Sequence, residues 1–232
     1  MLQRMQASAL PPLFERVPSV FSPALELSQP WRLLEEPLRT ILASAGDRVE
    51  IPLSPDFTIV GSGIVIETGT RVGPGAVLEG PLWVGRDVDI RPGAYLRGGV
   101  WIGDGCVVGA HSEIKHAILF PGSRAPHLNY VGDSILGCDV NLGAGTILSN
   151  FRHDGREIRI PAAGLPEDGT GQRKLGAILG DRVKTGCNCV LNPGTVVGRG
   201  TLLYPGVQLR AGVYPPDSII KLRQQIEIIS TR

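Results

Sequence analysis

Aliphatic residues recur at every sixth position through the middle of the chain. A period of six is neither the 3.6 of a helix nor the simple alternation of a half-buried strand. It predicts a short strand plus a turn as the repeating unit, with three such units closing one coil and successive coils stacking as parallel strands. Ten consecutive positions in this register are aliphatic, namely Val60, Ile66, Val72, Leu78, Val84, Ile90, Leu96, Ile102, Val108 and Ile114.

The same register returns later in the chain and predicts an all-β fold. It reappears at Leu136, Leu142 and Leu148, and again from Leu179 to Leu209 with Thr185 interrupting. We therefore expect a parallel β-helix of six to seven coils over residues 56–214. Two breaks in the register predict loops at 119–129 and 152–173, because a regular solenoid ejects its insertions.

The segments on either side of the repeat predict an arm and a helix. Residues 1–55 form an N-terminal arm with one short helical pattern over 31–42, which Pro37 should break or kink. At the other end, Asp217 is expected to cap a C-terminal helix within residues 215–232. We expect both to be packing or oligomer elements and not catalytic ones.

Composition supports this architecture and narrows the class of protein. The 31 glycines and 19 prolines among 232 residues disfavour a helical bundle, because both are poor helix formers. A net charge of +1 gives no electrostatic footprint for nucleic acid or an anionic membrane surface. With no membrane-spanning window, no secretory h-region and four cysteines that form no metal or disulfide pattern, we expect a cytoplasmic protein with reduced thiols.

Two cations follow anchor positions one coil apart. Arg97 and Lys115 are separated by three of the six-residue units, so they should stack on one corner of the coil. Like charges about 5 Å apart repel unless an anion lies beside them, so the pattern predicts an anion site, with phosphate as the leading candidate.

The histidines suggest two different chemistries. His127 lies in the first predicted loop, and an imidazole there suits general-base work at neutral pH. His111 and His116 have the spacing of a zinc pair that resembles the γ-class carbonic anhydrases. That class needs a third histidine about two coils earlier, and none precedes His111, so no metal site is predicted.

Residues 109–150 resemble the acetyltransferase domain of bifunctional N-acetylglucosamine-1-phosphate uridylyltransferase/glucosamine-1-phosphate acetyltransferase. The string E-I-K…G-S-R-x-x-H-L-x-Y-x-G-D…N-L-G-A-G-T…N matches that family without a gap, and 171–186 looks closer to the archaeal sugar-1-phosphate nucleotidylyltransferase relatives. The resemblance covers about residues 57–210 and implies a left-handed β-helix, acetyl-CoA as co-substrate and a homotrimer. It does not extend to the family's nucleotidylyltransferase domain, so a separate protein is a candidate partner for that step.

The resemblance also implies a role for individual residues. It places His127 as catalytic base and Ala144 as a backbone contact to the acyl donor. The sugar-phosphate positions are Arg97, Lys115, Tyr130, Asn141 and Asn150. Three further positions on the acyl-donor side are Lys174, Cys187 and Pro205. Phe151, Cys187 and Pro205 depart from the residues usual in the family, and all three lie on the acyl-donor side.

The expected function is therefore acetyl-CoA-dependent N-acetylation of an amino-sugar 1-phosphate, either glucosamine 1-phosphate or galactosamine 1-phosphate. His127 would act as general base in a direct attack without a covalent enzyme intermediate. Two alternatives stay open at this stage. One is a non-catalytic β-helix that trimerises or binds a partner, and the other is an acyltransferase for a nucleotide-linked amino sugar.

Overall fold

The computed structural model describes residues 10–24, 28–161, 169–223 and 225–231. Its main body is a parallel β-helix, in which each strand pairs with strands one coil before and one coil after it. In chain order the strands are β1 (Arg48–Val49), β2 (Thr58–Val60), β3 (Ile64–Ile66), β4 (Arg71–Val72), β5 (Val77–Glu79), β6 (Leu82–Val84), β7 (Asp89–Ile90), β8 (Tyr95–Ile102), β9 (Val107–Ala110), β10 (Glu113–Leu119), β11 (Arg124–His127), β12 (Tyr130–Gly132), β13 (Ile135–Leu136), β14 (Ile147–Leu148), β15 (Ala177–Leu179), β16 (Lys184–Thr185), β17 (Val190–Leu191), β18 (Thr195–Val197), β19 (Leu202–Leu203), β20 (Gln208–Leu209), β21 (Gly212–Tyr214) and β22 (Ile219–Ile220).

The strands form three faces of a prism. The first face contains β2, β5, β12, β14, β17, β20 and the first halves of β8 and β10. The second face contains β1, β3, β6, β13, β15, β18, β21 and the second halves of β8 and β10. The third face contains β4, β7, β9, β11, β16, β19 and β22, with Asn141 bridging β11 and β16. We call the turn from the third face into the first edge A, and the turn from the first face into the second edge B.

The predicted fold class is confirmed, and the prism is longer than expected. The second face has nine strands in the described part of the chain, so the solenoid has about nine turns and not six to seven. The coil count was too low because it began at residue 56, whereas Arg48–Val49 already pairs with Val65–Ile66, and because residues 119–129 were expected to be a loop, whereas they form part of a coil. The predicted boundary of the arm at residue 55 is therefore wrong. The handedness stays a prediction of the resemblance.

The sixth-residue anchors fill the interior of the prism, with one exception. From Ile66 onward they belong to or pack against a single apolar cluster that runs along the axis. Val60 is 44% exposed, and Ile59 takes the inward place opposite Leu78. The coil from Ile59 to Leu78 is one residue longer than three regular units, and the extra residue at the Gly61–Gly63 turn shifts the register by one.

The first predicted loop, 119–129, is wrong. Ile114 pairs with Val131, so this coil is one residue shorter than three regular units and carries no insertion. A β-bulge between Lys115 and Ala117 absorbs the missing residue. The segment forms the end of β10 and all of β11, and β11 pairs with β9 in the third face. The interior residue one coil after Ile114 is Val131.

The second predicted loop, 152–173, lies where the sequence placed it. Leu148 pairs with Leu191, more than two coil lengths later in the chain, so the insertion falls between these two coils. It returns to the prism through an antiparallel bridge between Phe151 and Lys174. Residues 162–168 of this loop lie outside the described residues.

The N-terminal arm packs on the outside of the second face. Helix α1 (Glu36–Ala45) follows 3₁₀ turns at Ser22–Ala24 and Pro30–Leu34, and Pro37 lies in its first turn, where a missing N–H costs nothing. Trp31, Leu33 and Leu38 are buried in a second apolar cluster against outward-facing residues of the second face. Across the described ranges no helix has the length and apolarity to cross a membrane.

The predicted C-terminal helix is wrong for the described residues. Ile219–Ile220 forms β22 and pairs with Leu202–Leu203 on the third face, and no helix follows it in 221–223 or 225–231. Asp217 has a φ of +50° and belongs to a turn of the prism, so it does not cap a helix. The segment pairs with the open strand edge at the end of the third face, and this tertiary pairing overrides its helical periodicity.

Candidate functional site

Arg97 and Lys115 are register neighbours, as their three-unit separation predicts. Their residues pair across the ladder between β8 and β10, which places the backbones about 4.8 Å apart on the first face. Gly132 is the next member of the same column, opposite Lys115. A Cβ on Gly132 would meet the ring of Tyr130 at 2.7 Å and the amide of Asn150 at 2.8 Å, so a side chain there would fill the site.

Each of these two cations has a carboxylate partner that the sequence analysis missed. Arg97 donates through Nε to Glu113 Oε1 at 2.8 Å and through Nη2 at 2.6 Å. Lys115 Nζ lies 3.1 Å from Asp133 Oδ2. Both carboxylates belong to the matched E-I-K and Y-V-G-D strings, but only the coil-to-coil register shows that they face the cations. The four formal charges cancel.

Asp133 is the centre of this group. It is 5% exposed, and its carboxylate accepts hydrogen bonds from Lys115, from His116 Nδ1 at 2.9 Å and from the side-chain amide of Asn150. Burial by itself would raise the pKa of this carboxyl, but the hydrogen bonds from His116 and Asn150 and the charge of Lys115 outweigh burial and hold the pKa below its ordinary value. Asp133 is therefore an ionised carboxylate at neutral pH.

Tyrosines border the cation column on the first face. Tyr130 pairs in register with Glu113, and burial together with the charges of Glu113 and Asp133 raises the pKa of its phenol. Tyr95 lies one coil before Glu113 and two coils before Tyr130. Its hydroxyl donates to Glu79 at 2.7 Å, and the Arg97 guanidinium lies 5.6 Å from the centre of its ring. The phenol of Tyr130 thus stays protonated beside the column and can donate a hydrogen bond to an anion.

A second group of predicted site residues stacks on edge A. His127, Ala144, Cys187 and Pro205 occupy corresponding turns of successive coils. In each coil the carbonyl oxygen of this residue accepts a hydrogen bond from a backbone N–H in the turn one coil later. The N–H groups of Gly145, Asn188 and Gly206 donate to His127 at 3.1 Å, to Ala144 at 2.8 Å and to Cys187 at 2.9 Å respectively. The three residues assigned to the acyl donor at this edge therefore continue the column that starts at His127.

The local turn fixes the backbone of His127 and leaves its ring exposed. Its amide donates to Asn129 Oδ1 at 3.0 Å, and the Asn129 side chain in turn donates to Gly143 O at 2.9 Å. Leu128 between them has a φ of +51°, which completes the turn. In the described part of the chain, nothing hydrogen-bonds to the His127 imidazole, so it is available to a ligand.

One strand of the first face separates the two edges. Gly132, the register partner of Lys115, follows His127 five positions later, so the two Cα atoms are at most about 18 Å apart. Tyr130 lies between them at the start of β12. The strand β12 therefore joins the turn that carries His127 to the turn that carries Asp133.

Two of the predicted residues lie elsewhere in the single chain. Asn141 lies on the third face between Arg124 and Lys184, in a cleft of about 620 Å³, and not with Asp133. Lys174 bridges to Phe151 and so lies next to Asn150 at edge B, away from the Ala144 column. The sequence could count coils but could not tell where the second loop re-enters the prism.

The histidine pair considered for zinc is not a pair in space. His111 precedes the first-face part of β10 and His116 follows it, so the two lie at edges A and B respectively. Among the described residues, no three histidine, cysteine or acidic side chains are grouped as metal ligands.

A cavity of about 480 Å³ lies next to the cation column at edge B. Helix α1 provides one wall through Leu38 and Leu42, and the turn residues Gly98 and Gly99 with His116 provide the other. His116 therefore bonds Asp133 on one side and borders this cavity on the other. The sequence indicates His116 only as half of a histidine pair, and this position beside the cavity depends on the coil-to-coil register.

Comparisons with known proteins agree with the resemblance. The family described as GMPPB C-terminal domain matches residues 78–198. A bifunctional sugar-1-phosphate nucleotidylyltransferase/acetyltransferase of Sulfurisphaera tokodaii is 42% identical over 106 residues, 46% of this chain and 26% of that protein. The bifunctional protein GlmU of Methanococcus maripaludis is 34% identical over 204 residues, 84% of this chain and 48% of that protein.

The chain thus spans half or less of the length of these curated relatives. A solved structure of a perosamine N-acetyltransferase mutant from Caulobacter crescentus, with CoA and GDP-perosamine, has a TM-score of 0.40 and 17% identity, covering 68% of this chain and 53% of that one. The family match covers just over half of the chain. It includes Arg97 and Lys115 of the column at edge B, and His127, Ala144 and Cys187 of the column at edge A. The chain belongs to the GMPPB C-terminal domain family.

Proposed function

We propose that the chain is an N-acetyltransferase that transfers the acetyl group of acetyl-CoA to the amine of an amino-sugar 1-phosphate, either glucosamine 1-phosphate or galactosamine 1-phosphate. The observation that supports this most directly is the arrangement on the first face. An exposed imidazole at edge A starts the column assigned to the acyl donor, and a cation column at edge B lies one strand away.

His127 is the proposed general base. It removes a proton from the sugar amine while the amine nitrogen attacks the thioester carbonyl. The new N–C bond forms, the C–S bond breaks, and CoA leaves as the thiol after it takes up a proton. Ala144 lies one coil above His127, and in the described part of the chain its amide N–H has no hydrogen-bond acceptor, so it can stabilise the oxyanion of the tetrahedral intermediate.

The edge B group is the proposed phosphate site. Arg97, Lys115 and the Tyr130 phenol bind the 1-phosphate, and Asn150 orients the sugar from the next coil. The amine is on the ring carbon next to the one that carries the phosphate, so holding the phosphate restricts the position of the amine, which is an orientation effect. Lys174, beside Asn150, belongs to this end of the site.

Assembly is part of the proposal. Asn141 lies on the third face, so a homotrimer in which a neighbouring copy presents Asn141 to the first face would complete the sugar site. Exposed apolar residues on the upper third face and tail support contact between copies, namely Leu202, Tyr204, Ile219, Leu222, Ile226, Ile228 and Ile229. A cytoplasmic location is a further part of the proposal.

The test is thiol release from acetyl-CoA with glucosamine 1-phosphate, galactosamine 1-phosphate and a UDP-amino sugar in parallel. We expect activity with one of the two sugar 1-phosphates. His127→Ala should lower kcat by about two decades or more, with little change in sugar binding. His111→Ala, at the same edge one coil below, is the matched control and should keep full activity.

Three outcomes separate the alternatives. Activity only with the UDP-amino sugar would support an acyltransferase for a nucleotide-linked acceptor. A trimer with no thiol release from any acceptor would support the non-catalytic, partner-binding function. An unchanged kcat in His127→Ala would remove His127 from the role of base.

A further inference from the structure

The cation column at edge B carries no net charge of its own. Arg97 is paired with Glu113 and Lys115 with Asp133, so the two positive charges are matched by two negative ones within the site. All four side chains are at most about one-third exposed. A dianionic phosphate gains little Coulomb attraction from these four side chains, so strong binding needs a further positive charge. Two candidates lie beside the column, Lys174 and His116, and of these two His116 is the one bonded to a member of the group.

His116 is placed to supply that charge. It lies one residue after Lys115, and its Nδ1 donates to Asp133 Oδ1 at 2.9 Å. This contact occupies Nδ1 and leaves Nε2 for another partner, and the ring is about one-third exposed along the cavity beside α1. A Cβ built on Gly99 would lie 3.4 Å from His116 Cδ2, so the absence of a side chain there gives the ring its room.

The charged groups around His116 come from two elements. From the prism these are Asp133, Lys115, Arg97 and Glu113, and from α1 and the residue before it they are Arg39 and Glu35, which line the same cavity. Arg39 and Glu36 pair with each other on the solvent side, and Glu35 accepts from Gln172. Within the described residues, only the Asp133 carboxylate hydrogen-bonds to the imidazole.

We propose that protonated His116 is a third phosphate-binding residue, and that the charge state of this one side chain sets the anion affinity of the site. With His116 neutral the group of five side chains has a formal charge of zero, and with His116 protonated it is +1. The inference rests on the proposed function in placing a phosphate at edge B. It adds that acceptor binding is coupled to uptake of one proton by His116.

The direction of the effect follows from linkage. An anion at the site favours the imidazolium, so binding takes up a proton and affinity falls as pH rises through the range in which a histidine loses its charge. A bound dianion beside one added positive charge at about 5 Å predicts a roughly tenfold change in affinity at low ionic strength.

Sulfate is the probe that isolates the protein's own titration. Sulfate stays a dianion between pH 6 and pH 8, whereas a sugar phosphate takes up a proton itself within that range. We would measure the sulfate dissociation constant of the full chain by calorimetry at both pH values in low salt. Affinity should fall roughly tenfold from pH 6 to pH 8 in the unmodified protein.

His116→Asn is the test variant, because asparagine tolerates the positive φ of +46° at this position and carries no charge. Its sulfate affinity should be weak and the same at both pH values. His111→Asn is the matched control, since His111 has a similar φ of +52° and lies at edge A. That variant should keep the full pH dependence.

The outcomes separate this inference from the proposed function. Sulfate binding that is lost in Lys115→Ala but has the same pH dependence in His116→Asn as in the unmodified protein would overturn the role of His116 and leave the acetyltransferase proposal standing. Absence of sulfate binding at pH 6 would overturn the phosphate site itself. In turnover at pH 6, His116→Asn should raise the acceptor KM about tenfold and change kcat less than twofold, and the opposite split would refute a binding role.

Discussion

Replacing Asp133 by asparagine tests whether one buried carboxylate organises edge B. In Asp133→Asn one of the two carboxylate oxygens becomes an NH₂ group, so the side chain cannot accept from Lys115, Asn150 and His116 together in either orientation. The charge-assisted hydrogen bonds of a carboxylate that is 5% exposed are therefore lost or weakened. Each contributes about 1.5–3 kcal/mol, but Lys115 can turn toward solvent, so we expect a loss of about 3 kcal/mol in unfolding free energy at pH 7.

The pH dependence of this loss has a definite sign. The folded-state pKa of Asp133 is below its ordinary value of about 3.9, so the stabilisation is present above that value and disappears as the pH falls through the folded-state pKa. The difference between unmodified protein and Asp133→Asn should therefore be full at pH 7 and shrink below about pH 4. Urea unfolding at a series of pH values measures it directly.

A matched control separates burial from charge. Asp139 is half-exposed and paired at the surface with Arg16, so Asp139→Asn should cost at most about 1 kcal/mol at any pH. If Asp133→Asn costs no more than Asp139→Asn, or the same amount at pH 3 as at pH 7, the assignment of Asp133 as the ionised centre of edge B is refuted.

Two further predictions concern the prism and the phosphate. Gly109→Ala should lower the free energy of unfolding by about 3 kcal/mol or more, or prevent folding, because a Cβ there would collide with the Pro126 carbonyl group. Gly105→Ala has nothing within 4 Å of the new Cβ and should lower it by only about 1 kcal/mol, because of its φ of +66°. Thermal unfolding of the two variants measures the difference. Arg97→Ala should raise KM for a phosphorylated acceptor about tenfold and leave an unphosphorylated amino sugar unaffected, and equal effects on both would argue against phosphate binding.

The periodicity predicted the fold because the fold is itself periodic. Each anchor such as Leu96 or Ile114 fills the same interior place one coil later, so a pattern read by counting gives both the strands and their stacking. The same counting correctly placed Arg97 beside Lys115. It failed where a coil departs from three regular units, because a single missing residue between Ile114 and Leu119 shifts everything that follows and leaves no mark in composition.

The segments outside the repeat were harder, because their structure depends on what they meet. A helix was expected within residues 215–232, but Ile219–Ile220 pairs with the open edge of β19. The arm was predicted as a separate unit up to residue 55, although Arg48–Val49 already adds a strand to the second face. In both places a hydrogen-bonding edge supplied by distant residues decided the local structure, and local sequence does not contain that information.

The chemistry of edge B shows what register adds to motif. Glu113 and Asp133 are present in the matched strings, yet the two stacked cations by themselves predicted only that an anion lies beside them. The register places Glu113 two residues before Lys115 on the same outward face and Asp133 one coil above it, so both cations are already neutralised. Anion affinity at this site therefore depends on a group outside the cation column, and His116, bonded to Asp133 and open to the cavity under α1, is the titratable side chain that meets this condition.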